Sequence, residues 1–155
     1  MEKTGLAGSV DAPQRSPADV ANRPVPPPGF FEEEEDIDQY HKGIATFNAG
    51  DHYKAHDHFE ALWGEDFWKG LVQAAVALHH YQARNPKGIE GLPENVDRIL
   101  KPYRPHYAGI DVERFLSEFN HYFHQIQTGN APPLEQAPRL HSTSPDHPTD
   151  PEGKQ

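Results

Sequence analysis

The chain contains no cysteine. Disulfides, thiolate nucleophiles and cysteine-based zinc or iron–sulfur sites are therefore excluded. No apolar run approaches the roughly 18–20 residues that a membrane-spanning helix needs. The first residues are charged and then rich in Gly, Ala, Ser and Pro, without the apolar stretch of a secretory signal. The cytoplasm is the expected compartment, and no membrane partner is expected. Positive charge is scarce: 14 Lys and Arg stand against 24 Asp and Glu, a net charge of −10. Such a surface repels phosphate backbones, and no basic patch is interleaved with aromatics, so no nucleic-acid partner is expected. The chain also lacks the zincin His-Glu-x-x-His, the P-loop, the dinucleotide glycine fingerprint and the Gly-x-Ser-x-Gly elbow.

Aromatic residues are missing from both ends. Every Trp, Tyr and Phe lies between Phe30 and Phe123, whereas most prolines lie outside that stretch. Segments rich in Pro, Ser, Gln and charge cannot bury enough apolar surface to offset their ordering entropy. The expected organisation is a disordered tail over 1–29, a helical domain over 30–127, and a second disordered tail over 128–155.

What is present is helical periodicity. Ile37, Tyr40, Ile44 and Phe47 define a first helix that Asn48-Ala49-Gly50 ends. Asp51 caps a second, carrying Tyr53, Ala55, Phe59, Leu62 and Trp63, and Gly64 breaks it. The short loop sends a third helix back antiparallel from near Asp66 to Ala83; being apolar nearly all round, it should be central. A fourth, with Val96, Ile99 and Leu100 inward, is interrupted by Pro93 and closed by Pro102 and Pro105. Asp111 caps a fifth, with Ile110 and Phe115 as a hydrophobic staple. No long alternation of period two argues a strand. The expected fold is all-α, a single bundle of about five helices.

Gln73 and His80 stand seven residues apart on the third helix and share a face. On the second helix His56 and Glu60 are four apart, with Trp63 three further on. Packing these faces together would gather His56, Glu60, Gln73 and His80, with Trp63 as a wall. Two imidazoles and a carboxylate (His56, Glu60, His80) suffice for zinc, or for non-haem iron with open positions. Without metal, a Glu beside a His can act as a general acid–base pair, with hydrolysis as one outcome. The cluster could equally hydrogen-bond a small polar ligand. The bland alternative is a satisfied structural network, because His-x-x-x-Glu is common on helices by chance. The chain would then be a non-catalytic interaction module for another protein or a second copy of itself. His52, in the first turn of its helix, is expected to be exposed, and His79 to face a helix other than the one His80 meets.

Four stretches together resemble a known family. They are Phe47-Asn48-Ala49-Gly50, His56-x-x-x-Glu60-x-x-Trp63, Gly70 to His80 with its Gln73-Ala74-Ala75 core, and Asn85-Pro86-Lys87-Gly88. This ordered set, over roughly residues 40–116, resembles a prokaryotic family known only as domain of unknown function 309. The resemblance implies an all-helical bundle and marks His56, Glu60, Trp63, Gln73, His80 and Asn85 as pattern positions; it brings no activity. Two departures stand out, Arg84 where the family usually has Gly and Ile89 where it usually has a small Ala. They imply a turn of altered shape beside Asn85. More faintly, Gly43, Gly50, Ala55 and Phe59 fall at the spacing of one tetratricopeptide helix pair, without recurrence about 34 residues on.

Overall fold

A computed structural model of the chain describes residues 23–62 and 64–143. Five longer helices make the frame: α1 (Glu34–Asn48), α2 (His52–Glu60), α3 (Asp66–Gln82), α5 (Leu92–Leu100) and α6 (Val112–Gln127), with α4 (Pro86–Ile89) a single turn between α3 and α5. The fold is all-α. One hairpin of two-residue strands, β1 (His106–Tyr107) against β2 (Ile110–Asp111), interrupts it. Strands that short carry no alternation to read.

Local chemistry sets the helix ends. Glu34, Glu35 and Asp36 occupy the first turn of α1, at the positive end of its dipole. Gly50 turns the chain with φ +89°, a left-handed conformation that glycine adopts without cost. Asp51 then caps α2, its carboxylate accepting from the Lys54 amide at 3.3 Å, and Asp111 caps α6 in the same way, from Arg114 at 2.9 Å. Pro93 does not interrupt a helix as expected. It lies in the first turn of α5, where its missing N–H costs nothing and its fixed φ suits the helix.

Close approach of α1 and α2 depends on Gly43, where a Cβ would fall 2.6 Å from the Phe59 ring. α3 packs against α2 on one side and α5 on the other. Trp68 anchors it, stacked on Phe59 at 6.2 Å and meeting the edges of Phe67 at 4.9 Å and Tyr40 at 6.1 Å. Burying each such ring contributes about 2–3 kcal/mol. Among the described residues, no helix is long and apolar enough to cross a membrane.

The ordered chain does not stop at residue 127. Leu140 is buried, and the Asn48 amide holds its backbone twice, accepting from the Leu140 N–H at 2.8 Å and donating to its carbonyl at 2.9 Å. The Asp111 amide donates to the His141 carbonyl at 2.8 Å, and Ser142 bridges to Ile110. At the other end the Val25 carbonyl lies over Gly109, where a Cβ would fall 2.0 Å from its oxygen. Both segments are poor in apolar residues, but one anchored leucine and a matched amide order the C-terminal one. The disorder expected for 1–22 and 144–155, and the wall expected of Trp63, lie outside the described residues.

His52 is not exposed as its first-turn position suggests. It is 1% exposed, packed edge-on against Phe47 at 5.0 Å. The Gln82 amide nitrogen donates to the Gly50 carbonyl at 2.7 Å and lies 3.0 Å from His52 Nδ1. Nδ1 therefore accepts, and the ring carries its proton on Nε2. Burial pushes the His52 pKa down to about 4, and the nearby Asp51 carboxylate pulls upward without overcoming it. The unfolded chain binds this proton first, so the neutral ring's contribution is complete above about pH 6.5 and is lost as pH falls toward 4. We expect the free energy of unfolding to drop on the order of 3 kcal/mol across that window from this group alone. In His52→Asn, which keeps an acceptor for Gln82, urea midpoints measured from pH 7 to pH 4 should fall less steeply. Equal slopes in the two proteins would refute the assignment.

Candidate functional site

The rotational setting of α3 decides which polar residues meet α2. Trp68 meets Phe59, His79 meets Tyr53 at 5.3 Å, and Gln82 meets His52. At 100° per residue, Gln73 and His80 then lie roughly 120–140° further round the helix. The four-residue cluster expected between the helices is therefore not assembled. Among the described residues, no hydrogen bond or ion pair joins His56 or Glu60 to Gln73 or His80. Of the two neighbouring histidines, it is His79 that faces α2.

His56 is flanked on three sides. Its Nδ1 lies 3.1 Å from Asp57 Oδ1, its Nε2 lies 4.0 Å from Glu60 Oε1, and Tyr53 stacks on its ring at 6.1 Å. The imidazole is 26% exposed, against 59% for Asp57 and 56% for Glu60. Asp57 accepts from Nδ1–H, which fixes the tautomer and leaves the Nε2 lone pair turned toward Glu60. Among the described residues, His56, Asp57 and Glu60 form the one group of three whose ligand atoms lie within 4.8 Å of one another. Asp57 thus stands where His80 was expected. His58, adjacent in sequence, instead meets Gln39 of α1 at 2.7 Å. Tyr53 was read only as part of an apolar stripe, although its i, i+3 spacing to His56 was visible.

His80 belongs to a different corner. Its Nδ1 lies 3.2 Å from the Asn85 amide nitrogen, and the Asn85 side-chain oxygen accepts from the Gly88 N–H at 3.4 Å, capping α4 with Pro86 in its first turn. A Cβ on Gly88 would fall 2.5 Å from the His80 ring. The Asn-Pro-x-Gly pattern is accounted for: Asn caps, Pro starts the turn, and Gly lets the imidazole lie against it. Arg84 adopts φ +58°, taking the left-handed conformation that a glycine would favour. The turn closes despite the substitution. Gln73 remains apart, its side-chain oxygen enclosed and without a donor among the described residues.

The family model described as a domain of unknown function, DUF309, matches residues 40–92. That stretch is similar to the DUF309 family. It runs from the middle of α1 to the first residue of α5 and holds every one of the pattern positions. The "Uncharacterized protein YpuF" of Bacillus subtilis is similar, 34% identical over 100 residues, which cover 57% of this chain and 56% of that protein. An "Uncharacterized protein" of Aquifex aeolicus is 27% identical over 97 residues, covering 58% of this chain and 29% of its own length. The match thus takes in little more than half of one relative and under a third of the other.

Two stability effects follow, one from the His80–Gly88 corner and one from Gln73. Gly88→Ala should lose about 1–3 kcal/mol by overpacking the His80 ring. Because the clash needs the imidazole, His80→Ala should restore most of the loss in a double-mutant cycle; additive losses would show that the contact does not matter. Gln73→Met should gain about 1 kcal/mol by removing the unmatched oxygen, read as a higher thermal midpoint. A lower midpoint would show that the amide has a partner.

Proposed function

We propose that the chain binds a divalent transition metal ion, zinc being the best fit, with His56 and Glu60 as its ligands and Asp57 orienting the imidazole. The observation that carries this is the 4.0 Å gap between His56 Nε2 and Glu60 Oε1. It is too wide for a hydrogen bond. It is close to the separation, about 3.3 Å, of a nitrogen and an oxygen ligand on one tetrahedral zinc. A carboxylate on the far ring nitrogen, as Asp57 supplies, is the usual support of a metal-bound histidine, fixing its tautomer and raising its basicity.

A purely structural role accounts for this arrangement poorly. Exposed ion pairs contribute roughly 0–1 kcal/mol, so three polar groups and a stacked tyrosine on the outer face of α2 do little for the fold. Hydrolysis is not part of the proposal. Asp57 and Glu60 are more than half exposed, and metal-assisted hydrolysis gains from a site that excludes water.

Untagged protein titrated with zinc by equilibrium dialysis should take up about one equivalent per chain. At a hundredfold excess over Kd, this ion should add about 2.7 kcal/mol to stability, visible in the thermal midpoint. His56→Ala should abolish uptake with the fold intact by circular dichroism, and Asp57→Asn should weaken it by about 10–100-fold. Uptake unchanged in His56→Ala would place the ion on other histidines and overturn the assignment.

A further inference from the structure

A cavity of about 630 Å³ opens between the C-terminal ends of α3 and α6, under the chain from Ala131 to Leu134. Tyr81, Ile89, Ile126, Pro132 and Leu134 make its walls almost wholly apolar. Its roof is fastened: the Tyr81 hydroxyl donates to the Pro132 carbonyl at 2.8 Å and the Tyr122 hydroxyl to that of Pro133 at 3.3 Å. The volume is that of a small-molecule site, and the cavity is built mainly from residues outside the cluster on α2.

Arg84 is the one charged residue in the lining. Its side chain makes no hydrogen bond or ion pair with any described residue, in a chain of net charge −10. It also sits at φ +58°, where every residue but glycine is disfavoured. An exposed guanidinium in the lining of an apolar cavity offers the planar fork that matches a carboxylate. We propose that this cavity binds a small amphipathic carboxylate, its hydrocarbon body between Tyr81, Ile89 and Ile126 and its carboxylate on Arg84. Charge complementarity sets the sign. With a net charge of −10, the chain as a whole favours an amphipathic cation over an anion.

The test titrates the full chain with decanoate and, separately, with decyltrimethylammonium, following backbone amide shifts by NMR. Decanoate should saturate, with shifts concentrated in residues 81–89 and 126–134, and bind at least about tenfold more tightly than the cation. Arg84→Gly suits the backbone at that position, so its fold should hold. It should bind decanoate about tenfold more weakly while binding the cation no more weakly than the parent, and Ile89→Ala should weaken decanoate as well. Equal affinity for the two probes, shifts spread over the whole surface, or an Arg84→Gly variant that binds decanoate as well as the parent would each overturn the proposal. So would a protein that saturates the cavity only with a peptide.

Discussion

The rotational setting of α3, locked by Trp68, governs everything else about this molecule. The indole is stacked on Phe59 and boxed by the edges of Phe67 and Tyr40. Close-packed interiors do not tolerate rotation of such a group, so the helix has one permitted phase. That phase turns His79 and Gln82 toward α2 and carries Gln73 and His80 away from it. A change of a single residue in the phase would bring His80 to the place where His79 now meets Tyr53 and remake the polar chemistry of both faces.

Two polar corners result. Near α2, Gln82 reaches the Gly50 carbonyl and the buried His52, satisfying a loop carbonyl and an imidazole that would otherwise be costly to enclose. Beyond α3, His80 lies against Gly88 and meets Asn85, which caps the turn leading into α5. Both are structural in the plain sense that their groups match one another. The imidazole of His56 differs: its partners are exposed, and its Nε2 faces a carboxylate across a gap that no hydrogen bond closes.

Much of the fold was legible from periodicity and caps. Asp51 and Asp111 cap as their positions suggest, Gly50 turns the chain, and the apolar α3 is central. The candidate site was legible only in part. His56 and Glu60 do share a face, because spacing within one helix fixes that. Which face of α3 is turned toward α2 is set by the packing of Trp68, and a pattern of apolar residues nearly all round a helix carries no phase. Pro93 misled for a related reason: a proline inside a pattern reads as a break unless the start of the helix is known, and Gly91 with φ +80° places that start just before it.

The C-terminal segment shows how far composition can mislead. Its residues look like those of a disordered tail, yet Asn48 imitates a backbone partner and binds both polar groups of Leu140. Matching a donor and an acceptor at once leaves neither orphaned, and the buried leucine adds its own transfer free energy. With that point fixed, the chain between Thr128 and Leu140 is a closed loop with few options, which keeps its entropy cost small. Two tyrosine hydroxyls then suffice to fasten Pro132 and Pro133 over the end of α3. The cavity beneath them has a roof because the segment is tied down at both places, by the tyrosine hydroxyls over Pro132 and Pro133 and by the Asn48–Leu140 pair beyond them.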